Sequence, residues 1–413
     1  MPRVERAVRP VSLLVVLGCT CATLILGSAI KGPCTSGDWS DGRQYRLLCY
    51  SDIVPLLNTE QLGGSRLPFI QPCVEADGQC DEYPVLTMYF MRVAAWIGGG
   101  TAAGFFTANA ILLLVCAAAI ATFLYMLGGK ALWFALAPTL LIYGFMNWDL
   151  FAVAFATGAL VAFARRRDGL AGALLGLGAA AKFYPALLAL PLIVHRLRDR
   201  EPDAAIRIGW AAAGAWLVVN APVAVASPSS WSTFFRFNSA RPPDWDSLWF
   251  IGCSHVDVAA ICGHTARINV ASLVLFAAAF LLVWVWKRRR DPAFARWSLA
   301  FPMLVLFLLS NKVYSPQYGL WLLPLFALGA VDLRTFVAFE AADIAVFVTR
   351  FSYFGRSTGG GGLPFGAFEV AIAVRTLILL WSVIVWVRRP TVDLPEPEPI
   401  ATLDPMTTAG APT

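Results

Sequence analysis

Apolar runs recur along this chain, and most of them end in a cluster of arginines or lysines. A run of about 18 residues or more is long enough to cross a hydrocarbon core about 30 Å thick. Basic clusters collect on the cytoplasmic side of such runs, and here Arg165-Arg166-Arg167, Arg196 with Arg198 and Arg200, Lys287 to Arg290, and Arg388-Arg389 all stand at run ends. Composition agrees: of 413 residues 58% are apolar and 14% charged, against about 25% charged in soluble domains, and mean hydropathy is +0.66. This excludes a soluble enzyme. The net charge of +6 is distributed by topology and not gathered on one face, so it does not mark a nucleic-acid binder.

The fold class expected is an all-α polytopic membrane protein. Arg3, Arg6 and Arg9 precede a run from Val11 to Ile30 that is too long for a signal-peptide core of about 7 to 15 residues, so it reads as a first helix with a cytoplasmic N-terminus. A short amphipathic segment, Val85 to Ile97, reads as lying at the outer interface. Further spans are expected near 104–127, 132–146, 150–164, 169–182, 185–195, 207–226, 267–286, 298–310, 319–330, 335–350 and 366–387, about twelve crossings with the first. Two of these, 169–182 and 185–195, are short for a crossing at about 1.5 Å per residue, which puts the turn Lys182-Phe183-Tyr184-Pro185 within the membrane's outer half, where non-helical backbone must face protein or a wet cavity. Two outer loops, 31–84 and 228–266, are too long to be mere connectors. Residues 390–413 read as a disordered cytoplasmic tail after a membrane domain spanning 1–389.

Of nine cysteines, Cys19, Cys21 and Cys116 fall within spans and read as packing residues. The other six lie in the outer loops, an even number that fits disulfides in an oxidising compartment; the simplest pairing is Cys34 with Cys49, Cys73 with Cys80, and Cys253 with Cys262. A competing reading takes Cys253, His255, Cys262 and His264 as zinc ligands, although structural zinc motifs usually space their paired ligands more widely. His195, among arginines at a span end, reads as an interfacial residue.

The first outer loop concentrates acids: Asp38, Asp41, Asp52, Glu60, Glu75, Asp77, Asp81 and Glu82. Most need no explanation beyond solvation, but Asp52, in Cys49-Tyr50-Ser51-Asp52-Ile53, and Glu82, in Glu82-Tyr83-Pro84-Val85-Leu86, are carboxylates set against apolar and aromatic residues, where a general base is poised. Lys312 and Lys182 stand at outer helix junctions, where a membrane-facing chain gains little from a lysine unless an anion meets it; the bland alternative is snorkelling to headgroups. Arg241, in Arg241-Pro242-Pro243-Asp244-Trp245-Asp246, offers a phosphate-binding group, and Trp245 and Trp249 are sugar-stacking groups or interface anchors. Asn147 and Asp149 are sugar-hydroxyl ligands or helix N-caps. The glycine run after Ser357 lacks the context of a phosphate loop and reads as a mobile outer loop over the site.

Several of these stretches together carry a family likeness. Ser51-Asp52-Ile53 after the first helix, then Glu82-Tyr83-Pro84-Val85-Leu86, Asn147-Trp148-Asp149-Leu150, Lys182-Phe183-Tyr184-Pro185 and Asn311-Lys312-Val313-Tyr314-Ser315-Pro316-Gln317-Tyr318 resemble the membrane glycosyltransferases of the GT-C superfamily. Within it the resemblance is to glycosyltransferase family 87, the actinobacterial polyprenyl-phosphate-mannose-dependent mannosyltransferases, over most of residues 10–390. The resemblance implies a GT-C fold and an inverting transferase at the outer face of the plasma (inner) membrane. It would move mannose from a polyprenyl-phosphate-mannose donor to an envelope glycolipid or lipoglycan.

Under that implication Asp52 matches the family's base. Lys182, Lys312 and Arg241 would bind the donor phosphate, and Glu82, Tyr83, Asn147, Asp149, Tyr184, Asp246, Tyr314 and Gln317 the substrates. The chemistry is consistent in kind, since a departing polyprenyl phosphate needs no general acid, only cationic or hydrogen-bond stabilisation. No cofactor is expected, although acidic loops can recruit a divalent ion. Besides membrane lipids the expected partners are the lipid-linked donor and the acceptor, with no nucleic acid. The alternatives are an arabinofuranosyltransferase using a polyprenyl-phosphate-arabinose donor and, in a different class, a transporter or flippase, whose ionisable residues would gather nearer the midplane.

Overall fold

A computed structural model describes residues 11–36, 39–73, 80–256, 258–359, 361–391 and 393–395; Arg3, Arg6, Arg9, Asp38, Glu75, Asp77 and most of the expected tail lie outside the described residues. Every regular element among the described residues is helical. The helices that matter below are α1 (Leu13–Lys31), α2 (Ile53–Thr59), α3 (Val85–Ile97), α4 (Ala102–Met126), α5 (Ala131–Ala135), α6 (Pro138–Tyr143), α7 (Asp149–Ala164), α8 (Asp168–Ala181), α9 (Pro185–Arg198), α10 (Pro202–Ala226), α11 (Thr233–Ala240), α12 (Leu248–His255), α13 (Thr265–Arg290), α14 (Ala300–Ser310), α15 (Gly319–Ala327), α16 (Leu333–Ser357) and α17 (Phe365–Arg388). Five helices, among them α4, α10, α13 and α17, are long and apolar enough to cross a membrane. The chain is a multi-pass membrane protein.

Burial sorts these helices. All of α15 and nearly all of α14 are buried, so these short, predominantly apolar helices form the centre. Helices α10 and α13 bury only a few residues each and leave Trp210, Val218, Leu273 and Leu282 exposed, as suits a lipid-facing surface. Helix α8 lies close against α10 because Gly172 and Gly176, four apart, carry no Cβ. A Cβ at either would strike the backbone of Ile208 or Ala212, a close small-residue contact of the kind that holds membrane helices together.

The structure departs from the expected spans where proline intervenes. The run 132–146 is two short helices, α5 and α6, because Pro138 forces Ala137 into an extended conformation. The Thr139 N–H at the new helix start donates to Glu340 Oε2 at 2.8 Å, which explains a carboxylate within the apolar run of α16. That helix runs on to Ser357, past the expected end at 350. The expected break between α8 and α9 is present: Lys182 is extended and Pro185 starts the next helix.

His195 is buried within the protein. It lies 3.3 Å from Asp199 and 3.5 Å from Asp393, and its Nδ1 accepts the Trp297 N–H at 3.3 Å. The described part of the tail is docked: Thr391 Oγ1 accepts the Ala295 N–H at 3.2 Å, and Leu394 packs on the core.

Three disulfides join Cys34 to Cys49, Cys73 to Cys80, and Cys253 to Cys262, with Cα–Cα distances of 5.6, 6.2 and 5.6 Å. The zinc reading fails because both sulfurs of its proposed set are bridged and His255 pairs with Glu369. Cys73, Cys80 and Asp81 also come together, but there too the sulfurs are bridged, and Asp81 is committed to Arg66 at 2.6 Å.

Candidate active site

Three connections converge at the end of the bundle that carries the disulfide loops: the entry to α2, the α6–α7 turn and the α8–α9 break. Ser51 Oγ donates to Phe145 O at 2.7 Å and Asp52 N–H to Met146 O at 2.8 Å, which pins the start of α2 to the α6–α7 turn. Asp52 occupies the N-cap position of α2, yet its side chain makes no capping bond. Its carboxylate is held elsewhere: Oδ1 accepts the Tyr50 hydroxyl at 2.7 Å and Oδ2 accepts Asn147 Nδ2 at 2.8 Å. The charge on Asp52, then burial, hold the Tyr50 hydroxyl protonated well above its ordinary range. Asn147 has one amide orientation, because its Oδ1 accepts the Trp148 N–H at 2.7 Å while its Nδ2 also reaches the Tyr83 hydroxyl at 2.8 Å. Neither Asn147 nor Asp149 caps α7 through its side chain.

These groups face a cavity of about 840 Å³. Of the residues singled out in the sequence, Asp52, Glu82, Tyr83, Asn147, Lys182, Tyr184, Arg241, Lys312 and Gln317 line it. Burial raises the Glu82 carboxyl above its ordinary range, with Arg241 opposing. Lys312 donates to the carbonyls of Ser239 and Arg241 at 3.0 and 2.7 Å, and burial, with repulsion from Arg241, lowers its ammonium to about 8. Arg241 reaches Asp244 at 3.7 Å. Although burial opposes the charge on Asp244, Arg350 and then Arg241 hold its carboxyl below the usual range.

Three of the expected substrate ligands do not line the cavity. Asp149 is fully buried behind it, paired with Lys182 at 2.7 Å and accepting Trp321 Nε1 at 2.6 Å. The Lys182 charge is therefore already compensated, and its ammonium lies 5.0 Å over the Tyr318 ring; it holds the cavity wall and is not a free cation. Asp246 is fully buried against Arg350, with Arg375 at 3.7 Å. Tyr314 is buried under Arg375, 3.9 Å from its ring centroid. Both belong to an ion cluster, with Asp343 3.3 Å from Arg375, that fastens the loop before α12 to α16 and α17. Trp245 packs among Phe250, Tyr353 and Phe354, and Trp249 Nε1 donates to Ser310 O at 2.8 Å; neither lines the cavity.

The glycine loop folds back onto α16, where the Leu363 N–H donates to Ser352 Oγ at 3.0 Å; Gly360 lies outside the described residues, and none of the described ones lines the cavity. Sequence reasoning missed Tyr50, Phe183, Phe237, Ser239 and Arg350, which do line it. For Arg350 a signal was available, since an arginine within an apolar run is a functional or structural marker by default.

A second, wholly apolar groove of about 470 Å³ runs between α8, α9 and α10, lined by Gly176, Ala179, Ala186, Ala189, Ala212 and Trp216 among others. Phe183, 53% exposed, lines both it and the polar cavity.

The family model of glycosyltransferase family 87 matches residues 82–310, more than half of the chain, and the chain belongs to that family. It is a membrane glycosyltransferase. No curated protein matches it. A crystal structure of ArnT from Cupriavidus metallidurans in the apo state is similar at 13% identity and a TM-score of 0.41, covering 84% of this chain and 71% of that one.

Proposed function

We propose that the protein transfers mannose, with inversion, from a polyprenyl-phosphate-mannose donor to an envelope glycolipid or lipoglycan at the outer face of the plasma membrane, both termini being cytoplasmic. The observation that carries the reading is the carboxylate of Asp52. It stands at a helix N-cap without capping, it is oriented by a hydroxyl and an amide, and it faces a cavity that is also lined by Lys312, a cation bonded to carbonyls. A carboxylate offers about four lone-pair sites, so each oxygen of Asp52 keeps one for an incoming hydroxyl.

In this reading Asp52 takes the proton of the acceptor hydroxyl as that oxygen bonds to the anomeric carbon. The bond from that carbon to the phosphate oxygen breaks on the opposite face, and the polyprenyl phosphate leaves as an anion stabilised by Lys312 and Arg241. Glu82, Tyr83, Asn147 and Gln317 orient the sugars, and Lys182 with Asp149 secures Asn147. The apolar groove beyond Phe183 supports a donor carried on a lipid. Mannose itself rests on the family resemblance.

The test is transfer of labelled mannose from polyprenyl-phosphate-mannose into membrane lipids by wild type and Asp52→Asn at matched protein levels. A general base contributes about 100-fold to 10,000-fold, so the variant should lose that much. Retention of activity moves the base to Glu82. A wild type that transfers arabinose from the corresponding donor and no mannose overturns the sugar assignment but not the class.

A further inference from the structure

Lys31, the last residue of α1, is 1% exposed. Among the described residues its ammonium makes one hydrogen bond, to Tyr50 O at 2.7 Å, and it lies 5.2 Å from the centroid of the Phe347 ring. Among the described residues no carboxylate sits within ion-pair distance, and burying an uncompensated charge is expensive. The carboxylate that Lys31 reaches through one intervening residue is Asp52. Tyr50 joins the two: its carbonyl accepts from Lys31, and its hydroxyl donates to Asp52. The same tyrosine stacks on Phe351 at 4.9 Å and follows directly on the Cys34–Cys49 bridge, so it has little freedom to swing.

We infer that Lys31 and Tyr50 form a positioning device for Asp52. In it the buried lysine, from behind the cavity, fixes the Tyr50 backbone, and the Tyr50 hydroxyl in turn holds the Asp52 carboxylate in place for the incoming hydroxyl. The inference rests on the glycosyl-transfer reading and names the residues that tune its base. The other groups around Asp52 do not duplicate this role. Asn147 holds the other carboxylate oxygen, and the Tyr83 hydroxyl is bonded to Asn147. The Lys182 charge is matched by Asp149, which itself bears on Asp52 as a like charge. Arg350, from α16, bears on Tyr50 but is spent on Asp246 and Asp244.

The experiment measures sugar transfer against pH for wild type, Lys31→Met, Tyr50→Phe and the double variant, with folded protein quantified for each. Lys31→Met should lower kcat by about 10-fold to 100-fold with the KM for donor little changed, and should move the acidic limb of the profile up by about one pH unit or more. Tyr50→Phe removes only a hydroxyl and should move the limb the same way, and the double variant should be no worse than the sum of both losses. If Lys31→Met merely lowers the yield of folded protein while its profile stays that of wild type, the role is structural and the inference fails. Should Lys31→Met not fold, an unshifted profile for Tyr50→Phe overturns it as well. A wild type that transfers no sugar sinks the transfer reading and this role together, whereas an active wild type with unshifted variants sinks this role alone.

Discussion

Lys182 and Lys312 look alike in the sequence: each stands at a helix junction, each is followed within two residues by a tyrosine, and each line of reasoning asks the lysine for an anion. Their surroundings separate them. Lys182 has its anion already, the buried carboxylate of Asp149 at 2.7 Å, whereas Lys312 is held by two carbonyls and stands beside Arg241. A pair that neutralises itself builds a wall. A lysine satisfied only by neutral acceptors keeps its charge for whatever enters the cavity. The identity of the partner, and not the depth or the residue type, decides which lysine keeps a charge to offer the cavity.

The sharpest way to break this comparison is to remove each lysine alone. Lys182→Met leaves Asp149 as an unpaired buried carboxylate, a change that costs about 3 to 5 kcal/mol in comparable pairs, so the variant should unfold at markedly lower temperature or denaturant. Adding Asp149→Asn should recover much of that stability. Lys312→Met strands no buried charge. It should fold like the wild type but raise the KM for the lipid-phosphate donor by about 10-fold or more, since charge-assisted bonds are worth about 1.5 to 3 kcal/mol. If instead Lys312→Met destabilises and Lys182→Met does not, the assignment is reversed.

The pH dependence sharpens the contrast. Lys312 titrates at about 8, below the value of about 10.4 for an unfolded lysine. The folded protein therefore gives up this proton first as pH rises, and between these two values the unfolded chain binds more protons, so this group makes folding stability rise with pH there. Donor binding follows the opposite course: the charge that attracts phosphate is present below about 8 and lost above it. The KM for donor should be flat at neutral pH and climb, by up to about ten-fold per unit, above pH 8. Lys312→Arg, whose guanidinium stays charged, should keep it flat and identify the titrating group.

The contrast also marks how far reading the chain could go. The apolar runs, the disulfide pairs, and Asp52, Glu82, Arg241 and Lys312 as cavity residues were legible, because each follows from a run length or from a polar residue in apolar company. That Asp149 meets Lys182 was not, since their junctions are joined only by the packing of α7 against α8. Nor was the cluster of Asp246, Asp343, Arg350 and Arg375. Its members lie in a loop and two helices whose apolar runs hid them, and it converts two expected substrate ligands, Asp246 and Tyr314, into structural ones. Pro138 is a break signal inside the apolar run 132–146, and the structure divides the run there.

The smallest expected effect compares two disulfides. By chain entropy the Cys34–Cys49 and Cys253–Cys262 bridges, with sequence separations of 15 and 9, should differ in stabilisation by only about 0.5 kcal/mol, too little to distinguish them in an unfolding experiment. Their neighbours differ more. Cys49 is followed by Tyr50, whose hydroxyl holds Asp52, while neither Cys253 nor Cys262 lines the cavity. Replacing Cys34 and Cys49 by alanine should therefore lower kcat by a few-fold beyond any loss of folded protein, and replacing Cys253 and Cys262 should leave the kcat of the folded fraction unchanged. Equal effects on kcat would mean that the first loop does not reach the reaction through Tyr50, and that the two bridges serve stability alone.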